Sequence, residues 1–126
     1  MKNYLLALST TLSAIFAPAK GMLVTALVLI LIDLVTGIAA ARKRKESINS
    51  AGIGRTVVKL MVYEISIALA FLTQTYLTGP NIPCASIVAS LVGTTELLSC
   101  LENINEISGG QLLKQILDKI SQLGKQ

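Results

Sequence analysis

Four charged residues stand inside apolar stretches of this sequence: Asp33, Lys59, Glu64 and Glu96. An ionised side chain in such surroundings is costly unless it meets a partner, a wet cavity or another chain. The chemistry open to these residues is therefore ion pairing, proton exchange or the lining of an aqueous path. Other chemistries are poorly served. The chain has no His, the commonest general base and metal ligand. Its two cysteines, Cys84 and Cys100, have neither His partners nor a C-x-x-C spacing, so no structural zinc site is expected. On one helix they would lie roughly 24 Å apart, too far for a disulfide. They are read as small apolar residues. The sequence disfavours an enzyme, and no cofactor or metal is expected.

The elements that must hold these charges follow from composition. Of 126 residues, 52% are hydrophobic and only 14% are charged, with a net charge of +4. The mean hydropathy is +0.67. A soluble domain carries about 25% charged residues, so this chain lacks the polar surface to cover a globule. The expected class is an all-α integral membrane protein. Three runs are long enough for a bilayer core of about 30 Å. The first is Met22–Ala41, interrupted only by Asp33 and closed by Arg42-Lys43-Arg44-Lys45. The second is Val57–Leu77, with Lys59 and Glu64. The third is Ile82–Leu101, with Glu96. Thr78–Pro83, with a Gly and two Pro, predicts a tight turn between the second and third.

The ends differ. Residues 3–19 are apolar with interspersed Ser and Thr. Lys2, this stretch and Ala17-Pro18-Ala19 resemble a signal peptide. The Pro inside the cleavage site and the hydrophobic run that follows point elsewhere: to a fourth hydrophobic helix, spanning or interfacial, paired with the next through Pro18–Gly21. At the other end, Ser108-Gly109-Gly110 is a breaker. Beyond it Leu112, Leu113, Ile116, Leu117, Ile120 and Leu123 recur at helical spacing opposite Lys114, Asp118, Lys119 and Gln122. This predicts an amphipathic helix lying on the membrane or on another copy. The division expected is a transmembrane part, residues 1–107, and a tail, residues 108–126.

Orientation follows from the basic connection. Arg42, Lys43, Arg44, Lys45 and Arg55 lie between the first two spans, whereas Thr78–Pro83 carries no charge. The positive-inside rule places the basic loop and the tail in the cytoplasm and the turn outside. The basic run abuts a span and lacks interleaved aromatics, so nucleic-acid binding is not expected. Counting about 1.5 Å per residue, Asp33 lies roughly 13 Å in from Arg42, and Glu64 a similar depth from Arg55. All four charges fall in the cytoplasmic half or near the midplane.

Asp33 and Lys59 can reach one another, since a Lys stem extends far. The pair could lock two helices together or line a pore. Glu64 and Glu96 have no evident basic partner in the spans, which leaves protonation, water or pairing between subunits. In the second span Lys59, Tyr63, Ser66, Thr73 and Gln74 fall near one face. In the third, Ala85, Ala89 and Gly93 form one line, and Ser86, Ser90 and Thr94 the next. Small residues allow close helix approach, within the chain or between copies. Thr36 and Gly37 share that ambiguity. Asp33 is expected to be the most sensitive single position.

The stretch Leu31–Ala41 resembles the Asp-x-x-Thr-Gly span of the toxin-secretion/phage-lysis holin family, through Asp33, Thr36 and Gly37. The basic loop ending near Ser50, Gly52 and Gly54, with Lys59 early in the next span, is similar to that family's pattern. So is Glu96-x-x-Ser99-x-x-Glu102-Asn103. The resemblance covers residues 22–123. It implies a bacteriophage holin, multi-pass in the host cytoplasmic membrane, which self-assembles into holes that release an endolysin or depolarise the membrane. The implied partners are the lipid bilayer, further copies of the chain and, functionally, an endolysin. Two other readings are a scaffold subunit of a secretion or toxin-export assembly and a small ion channel using Asp33, Glu64 and Glu96. Lysis that depends on an endolysin would separate the first from these.

Overall fold

The computed structural model describes residues 1–123, excepting the side chains of residues 120, 121 and 123. Five α-helices follow in order, and no strand occurs among the described residues. They are α1 (Lys2–Phe16), α2 (Lys20–Lys43), α3 (Ser50–Thr73), α4 (Cys84–Ile107) and α5 (Gln111–Leu123). The protein is a multi-pass membrane protein by its fold. Three helical stretches are long and apolar enough to span a bilayer: Lys2–Lys43, Ser50–Thr78 and Cys84–Ile107.

The first stretch departs from expectation. Pro18 does not fold α1 back on α2. The two run on through a 3-10 turn, Ala17–Ala19, with right-handed helical backbone at both ends. Proline is tolerated in the first turn of a helical segment, where its missing N–H would lack a partner anyway, and Pro18 stands there. At about 1.5 Å per residue the continuous helix Lys2–Lys43 is roughly 63 Å long. That is about twice a bilayer core. The α2 part packs within the bundle, whereas α1 buries no residue and meets it through Phe16, whose ring centroid lies 6.0 Å from that of Phe71.

The second stretch begins earlier than its hydrophobicity suggests. Asn49 caps α3, its side chain accepting from the Gly52 N–H at 3.0 Å, so Ser50–Thr56 are helical rather than loop. The side-chain oxygen satisfies one of the four free donors at a helix start. At the far end α3 loosens into a π-helical turn, Gln74–Thr78. There Gln74 Oε1 accepts from the Ala85 N–H at 3.0 Å, tying α3 to the start of α4.

The third stretch runs past its apolar limit at Leu101 to Ile107. It ends in a Schellman arrangement: Gly110 N–H donates to Asn105 O and Gly109 N–H to Glu106 O. Gly109 and Gly110 have φ of 81° and 79°, a left-handed backbone that L side chains rarely adopt. Asn105 Oδ1 accepts from the Leu113 N–H at 3.1 Å and so starts α5.

With α3 crossing back between them, α2 and α4 run parallel and make the most extensive helix contact. Ala19 shares a cluster with Ala85, and Ala26 with Val92. Ser99 donates to Asp33, so the register is a constant offset. Ala19, Ala26, Asp33 and Ala40 recur every seven residues along this seam, as in helices packed at a small angle. Alanine permits the close approach. Phe71 joins the Ala19/Ala85 cluster and Ile67 the Ala26/Val92 cluster, which sets α3 antiparallel to both. Outside this narrow core the surface is hydrocarbon: Val28, Leu31, Val35, Met61, Ile65 and Leu69 are all exposed. Such a surface requires lipid or another copy as its solvent.

Candidate functional site

Lys59 is the hub of a charged cluster between α2, α3 and α4. Its ammonium donates to Asp33 Oδ2 at 2.6 Å and to Glu96 Oε2 at 2.7 Å. Both contacts lie within one chain, so Glu96 has the basic partner that the sequence did not reveal. Glu96 is 1% exposed and Asp33 15%. A carboxylate so enclosed persists only with charge-assisted hydrogen bonds on it.

The second oxygen of Asp33 is also engaged. Ser99 Oγ donates to Asp33 Oδ1 at 2.5 Å, and Asn103 Nδ2 at 3.1 Å. Asn103 Nδ2 also reaches Thr36 Oγ1 at 3.2 Å. Thr36 turns its own hydroxyl proton onto the Ile32 carbonyl at 2.9 Å. Gly37 lies against this amide: a Cβ there would sit 3.5 Å from Asn103 Nδ2. The Asp-x-x-Thr-Gly run of α2 thus faces Ser99 and Asn103 of α4. Sequence reasoning gave those two residues no separate role. Their signal was present in the spacing, since positions 96, 99 and 103 share one helix face. Glu102, in the same motif, is exposed and outside the cluster.

Two expected site residues lie apart. Ser66 donates to the Val62 carbonyl at 2.7 Å and does not reach the cluster. Glu64 lies in a groove with Leu23, Val24, Leu27 and Leu60. Its Oε1 is buried with no hydrogen-bond partner among the described residues.

The basic connection does more than set orientation. Lys43 Nζ donates to the Glu106 and Ile107 carbonyls at 2.8 and 3.0 Å, satisfying open acceptors at the end of α4. Arg44 bridges Glu46 and Glu106. Its hydrogen bonds to these two carboxylates push the guanidinium further up, and the bond to Arg44 holds Glu46 below the usual carboxylate range. Arg42, Lys45 and Arg55 are exposed. A cavity of about 650 Å³ opens among this loop and the ends of α2, α3 and α4. Arg44, Glu46 and Arg55 line it, and so do Asp33, Ser99 and Asn103. The charged cluster is thereby connected to the basic side of the bundle. No grouping of His, Cys, Asp and Glu able to hold a metal occurs among the described residues.

A family model described as the bacteriophage holin family matches residues 10–125. The chain belongs to this family. The match takes in the second half of α1, all three bundle helices and the tail. For a holin the arrangement is informative: the motif residues Asp33, Thr36, Gly37, Lys59, Glu96, Ser99 and Asn103 converge on one polar knot rather than on a channel through the single bundle. No curated protein and no solved structure matches the chain.

Proposed function

We propose that this holin self-assembles in the host cytoplasmic membrane and opens holes there, releasing an endolysin to the cell wall or depolarising the membrane for timed lysis. The family match over residues 10–125 carries the reading. The fold adds a physical reason for assembly. The bundle interior is filled by Ile30, Ile67, Phe71 and Val92 and closed by the Lys59 cluster, so one copy has no room for an aqueous lumen. A hole needs several copies.

In this reading Asp33, Lys59, Glu96 and Thr36 hold the resting bundle together, and the basic loop Arg42–Arg55 anchors its cytoplasmic end. The transmembrane part, residues 1–107, inserts and packs, while the tail, residues 108–126, tunes assembly. The test is induced expression in a bacterial host with and without an endolysin. The expected result is loss of membrane potential at a set time, with lysis only when the endolysin is present. Full membrane levels with an intact potential and no lysis would overturn the proposal.

A further inference from the structure

Of the four charges inside the apolar runs, Glu64 is the one that the cluster leaves out, and its depth can be read from its neighbours. Lys59 meets Glu96, and Ile67 packs with Val92. Glu64 lies between these on α3, so it stands at the height of Thr94 on α4. An intramembrane carboxyl without a partner points to a functional contact. The bundle presents a complementary surface at that height. Thr25, Ser86, Ser90 and Thr94 are exposed and make no hydrogen bond among the described residues. Thr25, Ser86 and Ser90 line a groove of about 330 Å³ between α2 and α4, floored by Gly21, Ala26, Ala89 and Gly93. Residues this small let a neighbouring helix approach closely.

We propose that this groove receives a second copy of the chain by its α2–α3 face, with Glu64 of that copy accepting a hydrogen bond from Thr94 at the groove's edge. A carboxyl oxygen accepts from a hydroxyl in either protonation state. Geometry favours this occupant. Copies inserted with one topology are related by rotation about the membrane normal, so every residue keeps its depth. A donor and an acceptor that lack partners at the same depth, on different faces of one bundle, are therefore brought together by the second copy. The two faces differ, so the contact is heterologous and extends to rings or arcs rather than stopping at a dimer. The inference rests on the self-assembly proposed above and names its surface.

The experiment uses full-length chains with Cys84→Ala and Cys100→Ala. Val24→Cys goes into one chain and Ser90→Cys into another. Val24 and Ser90 share a height, because α2 and α4 run in register as Ala19 with Ala85 and Ala26 with Val92. Both chains are co-expressed and the membranes treated with a short bis-maleimide. Cross-linked dimers are expected from the mixture and not from either chain alone. A lysine-reactive cross-linker on the cysteine-free chain reports assembly independently. Glu64→Gln should keep the thiol cross-link within about twofold. Glu64→Leu, which adds only hydrocarbon to a lipid-facing groove, should lower it roughly tenfold, the scale of one interhelical hydrogen bond. Lysine-linked multimers without the 24–90 link, dimers from Ser90→Cys alone, or an unchanged yield in Glu64→Leu would overturn this surface while leaving self-assembly standing. Absence of lysine-linked multimers would overturn both.

Discussion

Replacing Lys59 by Met should disrupt the bundle more than any change at Asp33. Lys59 alone neutralises two carboxylates, at 2.6 and 2.7 Å. Removing it leaves Asp33 and Glu96 facing one another without a cation. Breaking a buried pair by deleting one partner costs about 3–5 kcal/mol. Lys59 is 27% exposed, so the lower figure of about 3 kcal/mol is the fair one. Asp33→Asn is milder. The Asn oxygen still accepts from Ser99 and Asn103, and Lys59, turned away from the new NH2 group, keeps Glu96. The loss is one charge-assisted hydrogen bond, about 1.5 kcal/mol. Cys100 is the reporter, being 4% exposed on the same face of α4 as Glu96 and Asn103. In a Cys84→Ala background, its maleimide labelling rate in mild detergent measures local opening. At about 1.4 kcal/mol per tenfold, Lys59→Met should raise the rate roughly a hundredfold and Asp33→Asn roughly tenfold. Adding Asp33→Asn and Glu96→Gln to Lys59→Met removes the stranded charges and should recover most of the loss. A rate for Lys59→Met within threefold of the parent, or a larger effect from Asp33→Asn, would refute the hub assignment. The sequence reading expects Asp33 to be the most sensitive single position for function; for the stability of the bundle the geometry gives Lys59 the larger effect.

Three further outcomes are expected. A Cys placed at Asn81 should label from outside intact cells and one at Ser47 should not, following the contrast in basic residues; the reverse pattern would invert the topology. Deleting residues 111–126 should shift the onset of lysis while membrane insertion stays near normal, since α2, α3 and α4 remain; loss of insertion by fractionation would refute that division. Lys43→Met takes a donor from two carbonyls at the end of α4, of which Glu106 O keeps the Gly109 N–H, and should cost about 1 kcal/mol, read as faster proteolysis at Ser108–Gly110; an unchanged rate would mean water replaces Lys43 without loss.

The three spanning segments were legible because hydrocarbon lipid imposes a length and composition that little else mimics. The errors came where backbone chemistry overrode composition. Pro18 read as a corner, yet a proline at a helix start needs no donor, so the helix runs through it. Residues 50–56 fall in the connection ahead of the apolar run that starts at Val57, yet Asn49 supplies the cap that starts α3 there. The basic run read as an orientation signal, which hid the bonds of Lys43 and Arg44 to α4. The charged cluster was half legible for a different reason. Asp33 and Lys59 could be matched as single opposite charges on successive helices. Placing Glu96, Ser99 and Asn103 beside them requires that α2 and α4 run parallel and in register. No local pattern states this; it follows from the alanines that recur every seven residues from the 3-10 turn through α2, at Ala19, Ala26 and Ala40, with Asp33 in the same series. Once that seam is fixed, Asp33 must meet Ser99, since Ala26 already meets Val92 one heptad earlier. Lys59, one helix away, then lies between the two carboxylates. The polar knot is therefore a consequence of an apolar seam, and its charges are held by packing that their own sequence positions do not reveal.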